Sequence, residues 1–424
     1  VDEIRKRQCA RLSELFQELS KGNKFYGRKF DRKLFEQPMD DLTGVLSSLP
    51  FTSKQELVDD QLAHPPYGTN LTYPLETYNR FSQTSATTGT PLRWLDTPRS
   101  WEWMVDNWRV VFEAAGVGPG DRVYFAFSFG PFIGFWLAFE AAAKMGCLSL
   151  PGGGLASAAR LRAMLDNAAT VLCCTPTYAL RLAEAAREER IDLSGSRVRV
   201  IIVAGEPGGS VPATRARIES LWPGARVFDH HGMTEVGPVT FECPRRTGWL
   251  HVIESAYVAE VIDPETAEPS EPGQSGELVL TTLGRLGSPA IRYRTGDLVR
   301  REPPGQCACG RYDMALEGGI LARLDDMITI RGVNVYPSAV EEVVRGINGV
   351  AEYRVEVSKR RTMDELRIQI EPASGCEDAP GLARRLETAL AAAFMLRVPV
   401  TLADAGSLPR FEMKARRWTW AEDS

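Results

Sequence analysis

The stretch from residue 121 to 229 constrains the fold most. Short apolar runs at 122–128, 147–150, 169–174, 197–203 and 226–229 alternate with helix-length segments at 132–145, 155–167, 178–189 and 211–221. Strands separated by whole helices cannot pair through tight turns. The rhythm therefore predicts an α/β fold, a parallel sheet flanked by helices. Ligands in such sheets gather where strand ends meet glycine-rich turns. Upstream, Ile4, Leu12, Leu15, Phe16 and Leu19 recur at helical spacing among charges, the mark of an amphipathic surface helix. Residues 50–80, rich in Pro, Tyr and Thr, read as a wrapping loop.

The pattern changes after residue 249. Strand-like pieces at 257–262, 276–281 and 291–293 are separated by Pro, Gly and acidic turns, which suggests a β-rich module. A smaller α+β unit follows, with helices over 337–345 and 381–394 and strands over 352–357 and 365–371. A chain of 424 residues exceeds one ordinary core. The expected division is a large N-terminal domain, 1–323, containing the β-rich module at about 245–322, and a small C-terminal domain, 324–424.

A formal net charge of −5 implies no basic surface for nucleic acid. No run of about 18 apolar residues exists, so no membrane span is expected. The opening Val-Asp-Glu-Ile-Arg-Lys-Arg is not followed by an apolar h-region. No export signal is expected, and the missing initiator Met suggests a trimmed start. Eight cysteines are too sparse for a disulfide scaffold, so a reducing cytoplasm is expected.

Six tracts carry candidate chemistry. Hydroxyls and backbone N–H groups crowd into Ser82-Gln83-Thr84-Ser85-Ala86-Thr87-Thr88-Gly89-Thr90-Pro91, a turn able to surround a triphosphate. It is not a Walker A loop, because no Gly-Lys-Ser/Thr follows. Ala204-Gly205-Glu206-Pro207-Gly208-Gly209 follows one predicted strand, and His230-His231-Gly232-Met233-Thr234-Glu235 follows another. In the latter a ring can stack on a base, Thr can donate to a phosphate and Glu can bind Mg²⁺. Asp297, in Tyr293-Arg294-Thr295-Gly296-Asp297-Leu298, reads as a turn carboxylate able to accept from a ribose diol. Arg323-Leu324-Asp325-Asp326 lies at the expected domain boundary, ahead of Arg331-Gly332. The last tract is Leu408-Pro409-Arg410-Phe411-Glu412-Met413-Lys414. Taken singly, each has a plainer explanation as a turn, a cap or a solvated tail.

In this order and spacing the six tracts resemble the adenylate-forming (ANL) superfamily, in its phenylacetate–CoA ligase-like branch, from about Phe25 to Arg417. The resemblance implies conversion of a carboxylate and ATP to an acyl-adenylate, then transfer to the thiol of CoA. It implies that Thr84, Ser85, Thr87, Thr88 and Gly89 hold the β/γ-phosphates. Gly205, Glu206 and Pro207 would border the adenine, within a nucleotide site that also takes in His230, Gly232 and Met233, with His231 on the adenine face. Thr234 would touch the α-phosphate, Glu235 hold Mg²⁺, Asp297 bind the ribose and Arg323 contact the ribose or phosphate side. Lys414 matches the adenylation lysine, whose ammonium bridges carboxylate and α-phosphate. Asp325 matches the hinge about which the C-terminal domain rotates, bringing Arg331 and Gly332 to the CoA tunnel.

Three departures stand out: Ala86 replaces a usual Gly, no cation lies at Thr90, and His231 replaces a usual Tyr. Arg93 is close enough in sequence to compensate for the missing cation. The departures leave room for a catalytically impaired nucleotide-binding homologue.

Cys243, His251, Cys307 and Cys309 make a four-ligand set of the kind that closes a tetrahedral, structural Zn²⁺ site, and some members of the branch resemble this chain here too. The aromatic density of Phe127, Phe129 and Phe132, with Ala204 on the adenine side, suits a flat aryl acid. The alternative acceptors are a carrier-protein thiol, an amine, or nitrite in an arylamine diazotisation. A homodimer is left open.

Overall fold

The structure, a computed structural model, describes residues 2–31, 41–84, 90–330, 333–360, 363–411 and 415–420. The chain forms two compact units, Val1–Gly154 with Asp229–Gly319, and Leu155–Phe228 with Ile320–Ser424.

The first unit opens on helix α1 (Asp2–Gly22), which buries Leu12, Leu15, Phe16 and Leu19 as the spacing predicts. The expected loop over 50–80 contains instead a helix, α2 (Lys54–Ala63). Ser53 accepts from the Glu56 N–H while Glu56 reaches back to the Ser53 N–H, a capping box that satisfies two orphan donors. Helix α3 (Pro98–Ala114) follows, capped by Thr97. Strand β1 (Arg122–Phe125), helix α4 (Ile133–Lys144) and strand β2 (Leu148–Pro151) complete the first β-α-β passage, with β1 and β2 parallel.

The second unit continues the alternation with α5 (Ser157–Asp166), β3 (Val171–Cys174), α6 (Pro176–Glu188), β4 (Val200–Val203), α7 (Pro212–Leu221) and β5 (Arg226–Asp229). Strands β3 and β4 pair in parallel, and every residue of both is buried, as unbroken apolar runs require. Helix α6 starts where Pro176 pre-sets the first turn and Thr175 caps the Tyr178 N–H.

Back in the first unit, β6 (Thr240–Glu242), β7 (Trp249–Val252) and a later strand, Ala315–Glu317, form one antiparallel sheet. β8 (Tyr257–Ile262), β9 (Ser275–Thr282) and β10 (Tyr293–Arg300) form another. The third strand, expected at 291–293, begins only at Tyr293 and runs on to Arg300.

The remainder of the second unit pairs β11 (Val350–Arg360) with β12 (Met363–Pro372). Val340 and Val344 of the helix Pro337–Gly346, with Leu382, Leu386 and Leu390 of the helix Ala379–Phe394, pack into one core with Val355, Ile368 and Ile370. Among the described residues no helix is long and apolar enough to cross a membrane.

Candidate active site

Strand β5 leads straight into the His230–Glu235 tract. His230, expected at a nucleotide, is a core residue instead. Its ring packs on Trp108 at 4.4 Å between centroids, and Nδ1–H donates to the Thr240 carbonyl at 2.6 Å. Burial pushes its pKa down to about 3. The next ring behaves differently: His231 Nε2 lies 3.1 Å from Asp297 Oδ2. Gly232 and Met233 pair with Gly237 and Pro238 in a two-residue ladder.

The carbonyl of Thr234 accepts from Arg285 at 2.6 Å. Arg285 is wholly buried and forked onto Asp96, with bonds of 2.7 and 2.6 Å. Truncating one partner of such a pair costs about 3–5 kcal/mol, so it holds the Thr234 turn firmly. Glu235 is also buried. It accepts from the Tyr293 hydroxyl at 3.3 Å, and Lys54 Nζ lies 3.5 Å from the same oxygen.

Asp297 was read as a turn residue, yet it lies within β10. Register passes from Glu277–Leu298 to Val279–Arg294, two steps on β9 against four on β10. The extra length bulges at Thr295–Asp297 and re-aims the carboxylate, as bulges beside ligand sites do. Thr84 is buried, its hydroxyl accepting from the Leu92 N–H at 3.0 Å. It closes the neck of the hydroxyl-rich loop, whose Ser85, Thr87, Thr88 and Gly89 lie outside the described residues. Arg93, the expected substitute cation, donates instead to the Pro66 carbonyl at 2.9 Å.

In the second unit Gly205 and Pro207 are exposed and Glu206 is half-buried, its carboxylate taken up by backbone N–H groups. Ala204 N–H donates to the Cys174 carbonyl at 3.3 Å. Arg323 forks onto Asp325 at 2.8 and 3.0 Å, so the expected ribose contact and the expected hinge residue hold each other. Lys414, Arg331 and Gly332 lie outside the described residues.

Phe127 is buried, while Phe129 and Phe132 are half-buried. Phe127 and Phe129 meet edge to face at 5.5 Å, and Phe129 meets Trp136 at 4.8 Å and Phe139 at 5.4 Å. These rings satisfy one another's quadrupoles, so they are packed core as well as candidate wall.

The ligand atoms of Cys243, His251, Cys307 and Cys309 all lie within 4.8 Å of one another. Cys243 follows β6, and His251 sits on β7 opposite Phe241. Cys307 and Cys309 come from one turn, closed by the Gly310 N–H on the Cys307 carbonyl. Gly310 has φ +84°, which favours glycine there. His251 Nδ1–H donates to the Asp313 carbonyl at 3.1 Å, leaving Nε2 to face Cys309 Sγ at 3.4 Å. That is how a metal-binding imidazole is oriented. Burial pushes the Cys243 thiol up to about 12. Burial opposes ionisation of Cys307 too, but hydrogen bonds from the Cys309 N–H, the neighbouring thiols and Arg246 outweigh it and lower its pKa. Three thiols and an aimed imidazole fit a closed zinc site.

Comparison with known proteins decides the family. The AMP-binding enzyme family matches residues 81–284, and the AMP-binding enzyme C-terminal domain matches residues 332–419. A phenylacetate–coenzyme A ligase of Escherichia coli (strain K12) is 31% identical over 98% of this chain and 94% of its own. One from Aromatoleum evansii is 33% identical over 87% and 82%. The chain belongs to the AMP-forming acid–CoA ligases of the phenylacetate–CoA ligase family. A solved 2-hydroxyisobutyryl-CoA ligase, in the postadenylation state with an acyl-AMP, superposes with a TM-score of 0.90 at 28% identity, over 98% of this chain and 89% of that one. The reaction of this family is ATP-dependent adenylation of an acid, then thioester formation on CoA.

Sequence reasoning missed two groups that this ligase places at the Thr234–Glu235 turn. Lys54 reaches Glu235 because Thr52 exchanges backbone hydrogen bonds with Arg292 and Arg294, tying the start of α2 to β10. The Ser53–Glu56 capping box was the one available sign of that helix. The Asp96–Arg285 pair joins residues far apart in the chain and leaves no local pattern at all.

Proposed function

We propose that this ligase activates an aromatic monocarboxylic acid. A carboxylate oxygen attacks the α-phosphorus of ATP, the bond to the bridging oxygen breaks, and pyrophosphate leaves. The CoA thiol then attacks the acyl carbon, releasing AMP and giving an aryl-CoA thioester. The observation that carries the reading is the meeting of His231 with Asp297 beside the Thr234–Glu235 turn, all in one unit of an acid–CoA ligase.

In this reading Asp297 accepts from the ribose hydroxyls and His231 fixes the direction of its carboxylate. Thr234 donates to the α-phosphate. Glu235 holds Mg²⁺, which when bound offsets charge on the phosphates. Lys54, half-exposed and flexible, supplies the phosphate-side cation that the chain lacks at Thr90. The loop from Thr84 to Gly89 cradles the terminal phosphates, and Gly205 and Pro207 border the adenine. Lys414 bridges the attacking carboxylate and the α-phosphate. Asp325 serves as the hinge, and Arg331 and Gly332 line the path of the thiol.

The aromatic cluster of Phe127, Phe129 and Trp136, with the half-buried Phe132 close by in sequence, supports an aryl rather than an alkyl acid. Cys243, His251, Cys307 and Cys309 would hold a structural Zn²⁺ that cross-links β6, β7 and the turn at Gly310.

The test is AMP release with ATP, Mg²⁺ and a panel of benzoates, aminobenzoates, phenylacetates and cinnamates, with and without CoA. Release that requires one aryl acid together with CoA supports the reading. Release indifferent to CoA would overturn the acceptor, and release only with alkyl acids would overturn the substrate class.

A further inference from the structure

Glu206 makes contacts that the adenine-border reading does not use. Oε1 accepts from the Thr177 N–H and Oε2 from the Ala415 N–H, each at 2.8 Å. Thr177 is in the first turn of α6, where backbone N–H groups have no helical partner and a carboxylate is favoured. Ala415 directly follows Lys414. The turn carrying Glu206 lies close on that helix end because of Gly208. Its φ is +148°, and an added Cβ would fall 2.5 Å from the Pro176 Cβ. Only glycine allows that approach, and it brings Glu206 within reach of both N–H groups.

Two further ties reach the same helix. Arg410 donates to Glu184 of α6 at 3.2 Å and to Glu371 at 2.6 Å. Arg417, buried against Glu352 at 2.7 Å, also donates to the Thr177 hydroxyl at 3.4 Å. The described chain is thus tied to α6 through Arg410 and Arg417, and Glu206 bridges the end of that helix to the Ala415 N–H.

We infer that Glu206 is a positioning residue for adenylation, a carboxylate bridge that holds the chain at Ala415, the residue after Lys414, on the N-terminus of α6. The inference rests on the reading of Lys414 as the adenylation lysine. It differs from the adenine-border role in what it leaves alone. A bridge to Ala415 serves the first half-reaction and has no part in thiol attack on a finished adenylate.

The experiment compares Glu206→Ala and the isosteric Glu206→Gln in the full chain. It measures ATP–pyrophosphate exchange with the acid that the AMP-release panel selects, and thioester formation from the synthetic acyl-adenylate and CoA. Glu206→Ala should lower exchange by about 10- to 100-fold, the effect of losing a charge-assisted hydrogen bond. Glu206→Gln, which keeps one acceptor for two donors, should lower it by a smaller factor. Both should keep the ATP KM and convert the supplied adenylate at the parent rate.

A raised ATP KM with unchanged kcat would overturn the inference in favour of direct nucleotide contact. A parallel loss of both half-reactions would overturn it in favour of general folding support. Lys414→Ala with undiminished exchange would overturn the underlying reading of the lysine, whatever Glu206 does.

Discussion

His231 Nε2 stands 3.1 Å from Asp297 Oδ2, and the Asp297 carboxylate is almost wholly buried. The two residues come from different parts of the chain. His231 follows the end of β5, and Asp297 is re-aimed by the bulge in β10. The edge of the imidazole, and not only its flat face, is therefore turned to a buried carboxylate. At this position the departure from the family's usual Tyr is a change of chemistry, from a phenol ring to an imidazole whose edge nitrogen meets a carboxylate.

If Asp297 accepts from the ribose diol, Asp297→Ala removes a charge-assisted acceptor worth about 1.5–3 kcal/mol. The ATP KM should rise by roughly 10- to 100-fold, since about 1.4 kcal/mol is a factor of ten. His231→Ala should raise it less, because the carboxylate remains. An ATP titration at saturating acid and CoA measures both, and an unchanged KM in Asp297→Ala would remove the residue from the nucleotide site.

Lys54 is about half exposed, so its pairing with Glu235 contributes little to folding, about 0–1 kcal/mol. A contact with the triphosphate would be worth more. Lys54→Met should leave the thermal midpoint within about 1–2 °C while raising the ATP KM by roughly tenfold or more. Steady-state kinetics beside a melting curve separates the two effects. Equal kinetics for Lys54→Met and the parent would return the phosphate-side cation to some other group.

The parallel-sheet rhythm was legible because Val171–Cys174 and Val200–Val203 are apolar on both faces, a pattern that only a doubly covered strand needs. The Cys/His cluster was legible because the two Cys of one turn flank a residue before Gly310, and ligand type is written in the sequence. Helix α2 was obscured by Pro65, Pro66 and Tyr67 just beyond it, although the Ser53–Glu56 box marked its start. Asp297 was misread as a turn because Thr-Gly-Asp looks the same in a bulge as in a loop. His230 and His231 are adjacent, and only tertiary packing sets one ring on Trp108 and the other beside Asp297. The Asp96–Arg285 and Lys54–Glu235 pairs depend on long-range geometry that no local pattern encodes.

Protein purified without chelator should carry about one equivalent of Zn²⁺, and Cys309→Ser should carry less than half of that. The two thiols and one imidazole left around a weakened site would no longer hold β6, β7 and the Gly310 turn together. Metal removal should therefore lower the thermal midpoint by several degrees, because the binding free energy of a structural site is folding free energy. Elemental analysis and a melting curve with and without a strong chelator check this. A parent protein holding no zinc, with a chelator-insensitive midpoint, would end the assignment.

The buried His230 gives the last prediction its sign. Its folded pKa is held near 3 by burial, against about 6.5 in an unfolded chain. Above pH 6.5 both states leave the ring neutral and the residue contributes no pH dependence. As pH falls below 6.5 the unfolded chain binds a proton that the folded one refuses, so stability declines at up to about 1.4 kcal/mol per pH unit until pH approaches 3. His230→Gln removes that titration. The variant should be less stable than the parent at pH 7.5, having lost the contact with Trp108, yet its melting temperature should fall less steeply between pH 6.5 and 5. Parallel pH profiles for the two proteins would show that His230 is not the group resisting protonation.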